Sequence, residues 1–138
     1  MNVIDEYLFV QVVRGDWPEA LPDDDELALP ASRHWRLLQR LHAPGAGQLS
    51  RLLGELSPGG RTGVRYPHPE LAQILDPRPL LDPAAAIAAR FGASGLLIAE
   101  TLAAGLAHGK ALYFGTERNV GRRLAEIAAE LGVAIRVL

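Results

Sequence analysis

Apolar positions along this chain fall into two rhythms, short unbroken runs and longer stretches with a single apolar face. Val3-Ile4-Asp5 is a brief β-branched start closed by an acid. Residues 7–13 are almost wholly apolar. By propensity they form a buried strand, while Leu8, Val12 and Val13 at helical spacing make them a helix; a run this short decides neither. Asp16-Trp17-Pro18 and Leu21-Pro22 break whatever precedes them, and Glu26-Leu27-Ala28-Leu29-Pro30 predicts a second strand. Ser32 then reads as the N-cap of a helix with Trp35, Leu38 and Leu41 on its inner face, ended by Pro44-Gly45. Residues 48–56 predict another helix, with Leu49, Leu52, Leu53 and Leu56 inward, stopped by Ser57-Pro58-Gly59-Gly60.

The second half continues in the same two rhythms. Residues 61–68 read as a polar, basic connector. Pro69 suits a first helical turn, with Leu71, Ile74 and Leu75 as the buried stripe until Asp76-Pro77. Asp82-Pro83 joins an N-cap to a proline at the first helical position for residues 83–91, and Gly92 fits the position after the helix. Ser94 opens a helix over 95–108, closed by Gly109, whose apolar residues Leu97, Ile98, Leu102 and Leu106 are separated by alanines. Ala111–Phe114 is apolar throughout, as a strand covered on both faces is. Residues 116–131 carry Val120, Leu124, Ile127 and Leu131 at helical spacing with Gly132 behind them, and residues 133–138 make a last strand. A strand, helix and strand of this size form a right-handed parallel crossover. The expected architecture is one α/β domain over residues 1–138, a three-layer α/β/α sandwich with a small parallel sheet.

Composition narrows the function classes. The chain has 138 residues, 49% of them hydrophobic, enough for a core without staples. With no cysteine, disulfides and thiolate-held zinc are excluded. There is no apolar run of about 18 residues and no basic N-terminal region leading into an apolar one, so a cytoplasmic protein with no membrane partner is expected. Charge is uneven: residues 1–31 hold eight acids and one base, the rest eight acids and thirteen bases, twelve of them arginine. That surplus makes solvated helix faces or a surface for nucleic acid or an acidic partner. No dinucleotide fingerprint, phosphate-binding P-loop or serine nucleophile elbow is present.

In an open parallel sheet, sites gather outside the carboxyl ends of the strands. The turn after Ala111–Phe114 carries Gly115, Thr116, Glu117, Arg118 and Asn119. Its backbone amides at Gly115-Thr116 make a weak candidate phosphate cradle, and a phosphate-bearing ligand there is one functional reading.

Three stretches together resemble the PIN domain, the fold of many bacterial toxin ribonucleases. Val3-Ile4-Asp5 looks like its opening strand and first metal-binding acid. Leu27-Ala28-Leu29-Pro30-Ala31-Ser32 with Arg33-His34-Trp35-Arg36-Leu37-Leu38 looks like its second strand and following helix. Leu97-Ile98-Ala99 and the stretch from Ala111 to Val120 look like its late helix and the strand and turn holding its last acids. The resemblance implies Asp5, Glu117 and Asn119 as ligands of Mg²⁺ or Mn²⁺, with Asp5, Glu100 and Glu117 as catalytic acids. It implies Arg36, Thr116 and Arg118 as contacts to RNA. Arg36 stands where the family has a glutamate, and Gly95 where it has an aspartate, so two of four expected acids remain.

Hydrolysis of a phosphodiester by Mg²⁺ needs carboxylates at about 2.0–2.1 Å from the ion and open positions for water and phosphate. Two carboxylates about 5 Å apart repel by roughly 3 kcal/mol at an effective dielectric of about 20, so such a cluster needs its cation. An arginine at an acid position supplies that charge as a salt bridge, or binds phosphate directly. The resemblance thus implies a metal-dependent ribonuclease, the toxin of a toxin–antitoxin pair, with RNA and an antitoxin-like protein as partners. The alternative is a catalytically inactive PIN-fold binding or regulatory protein. An apolar helical face within residues 33–56 is the candidate surface for a homodimer or for a partner.

Overall fold

The computed structural model describes residues 1–92 and 95–138. Five parallel strands, β1 (Asn2–Ile4), β2 (Leu27–Leu29), β3 (Gln73–Ile74), β4 (Ala111–Phe114) and β5 (Ala134–Val137), form one sheet in the order β3-β2-β1-β4-β5. Chain order runs outward from β1 in one direction through β2 and β3, then resumes on its other side with β4. The place where the order reverses lies between β1 and β4, whose registered pairs are Val3 with Leu112 and Ile4 with Tyr113. Crevices at such reversals, beyond the carboxyl ends of the strands, are where this class of sheet builds its sites.

Side chains alternate across each strand, and two apolar clusters cover the two faces. Val3, Ala28, Leu112 and Phe114 face one cluster with α5 (Arg78–Phe91), α6 (Leu96–Ala107) and α8 (Arg122–Leu131). Ile4, Leu27 and Leu29 face the other with α1 (Glu6–Val13), α2 (Ala31–His42), α3 (Gln48–Gly54) and α4 (Pro58–Arg65). The result is the expected three-layer α/β/α sandwich around a small parallel sheet. A short helix, α7 (Glu117–Val120), lies between β4 and α8. Among the described residues, no single helix is long and apolar enough to cross a membrane.

Local details decide several elements differently from the sequence reading. The ambiguous run after β1 is helix α1, because the Asp5 carboxylate accepts the Leu8 N–H at 2.9 Å and caps it. Helix α2 starts one residue before Ser32, after Pro30 and without a side-chain cap. It buries Arg33 and Leu37, and leaves Trp35 63% exposed.

Ser57-Pro58, read as a stop, is a start instead. Ser57 Oγ accepts the Gly60 N–H at 3.0 Å and Pro58 occupies the first turn, so the expected connector opens with helix α4. The helix expected after Pro69 is absent: its centre is β3, paired with β2 through Ala28–Gln73 and Leu29–Ile74. Helix α5 begins at Arg78, so Asp82 is not its cap and Pro83 lies within it. The expectation for Ser94 falls outside the described residues. The long helix expected over 116–131 is interrupted at Gly121, whose φ of 74° is open to glycine at no steric cost.

Candidate functional site

Asp5 follows β1 directly, and Gly115 follows β4, so the sheet itself brings them together at the reversal. The Asp5 N–H donates to Tyr113 O at 2.9 Å, continuing the β1–β4 ladder. Asp5 Oδ1 accepts from Leu8 N at 2.9 Å and Gly115 N at 3.1 Å, while Oδ2 accepts from Asn119 Nδ2 at 2.8 Å. Gly115 is required here by space. A Cβ at that position would stand 2.8 Å from Tyr7 Cβ, so any side chain would push α1 away from β4.

The next residue carries the opposite arrangement. Glu6 is fully buried, with Oε2 accepting from Arg33 Nη1 at 2.9 Å and Oε1 from Arg36 Nη1 at 2.5 Å. Arg36 Nη1 also donates to Asn119 Oδ1 at 2.8 Å, which closes a chain from Asp5 through Asn119 and Arg36 to Glu6. Arg33 is 1% exposed; its Nε donates to Thr101 Oγ1 at 2.8 Å, and its guanidinium lies 5.1 Å from the Phe114 ring centre. Thr101 in turn donates to the Leu97 carbonyl at 2.6 Å. Four helices and the end of β4 are therefore tied by one polar network.

The electrostatics follow from that wiring. Burial raises the Asp5 carboxyl to about 6, helped by the neighbouring Glu6 charge, against the opposing pull of the Leu8 and Asn119 hydrogen bonds. Burial also pushes Glu6 upward, but the charges and hydrogen bonds of Arg33, joined by Arg36, outweigh it and hold Glu6 below its ordinary value. Burial raises the Tyr7 phenol beside them.

The structure brings Asp5, Asn119 and Arg36 into one cluster. Glu100 is also buried, on α6, but its Oε1 accepts the Ser32 N–H at 2.8 Å and, among the described residues, it has no link to Asp5 or Glu6. Glu117 and Arg118 are exposed on α7, and neither has an ion pair among the described residues. Thr116 precedes α7 without capping it. The proposed phosphate cradle loses its first donor, because the Gly115 amide is already spent on Asp5.

Arg33 and Thr101 are the network members that sequence reasoning missed. The available signal was spacing: Arg33 and Arg36, three apart on a helix, share a face.

A divalent ion is not matched by this donor set. Each oxygen of Asp5 and Glu6, and the Asn119 carbonyl, already accepts at least one N–H, and Glu6 is neutralised by two guanidinium groups. Among the described residues, no group of three or more histidine, aspartate or glutamate side chains is placed to hold a metal. Comparison with family models, curated proteins and solved structures finds no match to the chain.

Proposed function

We propose that this chain is a PIN-like binding or regulatory protein whose acidic centre is held together by arginine rather than by Mg²⁺ or Mn²⁺, and that it does not cleave RNA. The observation that carries the reading is the pair of guanidinium groups on Glu6, next to an Asp5 carboxylate that already accepts three N–H donors. A buried acid pair needs positive charge beside it, and here that charge is covalently part of α2. The two guanidinium groups balance the charge of the two acids, and each carboxylate oxygen at the reversal is buried and already accepts an N–H. The centre then works as a rigid support for the rim formed by α2 and the β4–α7 turn. Arg36, Thr116 and Arg118 on that rim are the contacts offered to a partner, RNA or an antitoxin-like protein.

One specific observation favours a second reading, a metal-dependent ribonuclease acting as the toxin of a toxin–antitoxin pair. Asp5 and Asn119, 114 positions apart, meet at 2.8 Å at the carboxyl edge of the sheet. Melting the wild type and Asp5→Asn with Mg²⁺, with Mn²⁺ and with EDTA, and incubating the same samples with single-stranded RNA, separates the two. The binding reading expects equal melting temperatures in metal and in EDTA, and intact RNA. A metal-dependent rise in melting temperature that Asp5→Asn abolishes, together with RNA cleavage, would replace it with the nuclease reading.

A further inference from the structure

Five ionisable side chains lie near the start of α2: the acids Asp5, Glu6 and Glu100, and the bases Arg33 and Arg36. Both arginines are joined to Glu6, and Arg36 is joined through Asn119 to Asp5. Among the described residues, neither arginine is bonded to Glu100. Glu100 is 1% exposed, its carboxylate accepts one backbone N–H from Ser32, and it has no salt bridge among the described residues. A buried carboxylate served by a single neutral donor is costly, and an approaching cation relieves that cost.

Glu100 is also among the residues lining a cavity of about 610 Å³, within the range that holds a small organic molecule. Trp35, Pro77, Leu96 and Leu97 form its walls, and Trp35 and Leu96 are 63% and 53% exposed although both are large and apolar. Ser32 Oγ, on the same lining, is buried and has no hydrogen-bond partner among the described residues. An unpaired acid, an unpaired hydroxyl and an aromatic face thus meet in one apolar recess. Arg36 borders the recess as well, but its Nη1 is turned to Glu6 and Asn119.

We infer that this recess is a binding site for a small organic monocation with an apolar body, an arylalkyl ammonium or guanidinium ion. The charged head sits against Glu100, donating to the carboxylate and to Ser32 Oγ. The body lies along Leu96 and Leu97, with the Trp35 ring contributing both apolar area and attraction for the cation. Recognition depends on charge as well as shape: a neutral molecule of the same outline fills the walls but leaves Glu100 unpaired. The inference is independent of whether the neighbouring Asp5 centre cleaves RNA, because neither Asp5 nor Glu6 belongs to the lining.

The test is a series of isosteres on the wild-type chain in EDTA: 2-phenylethylammonium, 2-phenylethanol and 3-phenylpropionate, followed by calorimetry and by the amide and indole NMR signals of Ser32 and Trp35. The ammonium is expected to bind with a Kd of about 1 mM, about tenfold tighter than the alcohol, with the carboxylate weaker still. Glu100→Gln keeps an oxygen for the Ser32 N–H and should make ammonium and alcohol bind equally. Trp35→Ala, at an exposed position, should weaken both. Equal affinity of ammonium and alcohol for the wild type overturns the proposal, as does binding that leaves the Ser32 and Trp35 signals unmoved. If Glu100→Gln does not fold, the wild-type charge series alone decides.

Discussion

Replacing Asp5 with asparagine should change how stability depends on pH more than it changes stability itself. In the folded chain the Asp5 carboxyl is raised to about 6, against 3.8 for the unperturbed group. A gap of that size corresponds to about 3 kcal/mol at about 1.4 kcal/mol per unit. Because the folded value is the higher one, the native state holds the proton more tightly than the unfolded chain does. Its stabilising contribution is therefore complete below about pH 3.8 and is lost as pH rises through about 6. Glu6 acts in the opposite sense: held below its ordinary 4.5, it contributes stability above that pH and loses it as pH falls through the folded value. Between about pH 4.5 and 7.5 the Asp5 effect is thus the one that varies. Asparagine keeps an oxygen for the Leu8 and Gly115 amides but cannot ionise. Its amide group faces Asn119, which must turn over, and that cost does not vary with pH. Urea unfolding in EDTA, at intervals across that range, should show the mutant gaining on the wild type by about 2 kcal/mol as pH rises, the rest of the total of about 3 kcal/mol falling below about pH 4.5. A difference between the two that stays flat, or that shrinks with rising pH, would refute the account of Asp5 as a carboxylate penalised by burial.

Two further changes test the network and the packing beneath it. Arg33→Met leaves Glu6 buried with Arg36 alone and should cost about 3–5 kcal/mol in urea unfolding, and the pair with Glu6→Gln should cost less than the two single changes summed; additive costs would mean that the two residues act independently. Gly115→Ala places a methyl group 2.8 Å from Tyr7 Cβ and should lower stability by about 1–3 kcal/mol; an unchanged melting temperature would show that α1 moves aside freely.

Much of the sheet was legible because its strands are short apolar runs closed by distinctive residues. Ala111–Phe114 matches β4 residue for residue, and the strands at either end of the chain lie where apolar runs meet Asp5 and Gly132. Strand β3 was hidden because two residues carry no period, and only pairing with β2 makes Gln73 and Ile74 a strand. Helix α4 was hidden because its glycines outweighed the Ser57-Pro58 start, which becomes decisive once Val64 is buried against α1.

In the site, Asp5 and Asn119 could be named from the chain, and Glu100 stood out as an acid among Ile98, Ala99 and Leu102. Arg33 could not be singled out. Long basic side chains are ordinarily solvated, and its three contacts, Glu6, Thr101 and Phe114, come from three separate elements. A salt bridge from Arg36 was open to the sequence reading, but its partners Glu6 and Asn119, 30 and 83 positions away, could not be named for the same reason.

The position of Asp5 also sets an order in time. Glu6 finds its arginines 27 and 30 positions downstream, so those pairs can close while the chain is still being made. Asp5 must wait for Gly115 and Asn119, 110 and 114 positions on, and β1 must wait as long for its second neighbour in the sheet. Pairings this distant in sequence carry the largest loop-closure cost and form late. The central strand is thus finished last, and a nascent chain that stops short of β4 leaves β1 with an open edge and Asp5 without two of its three donors.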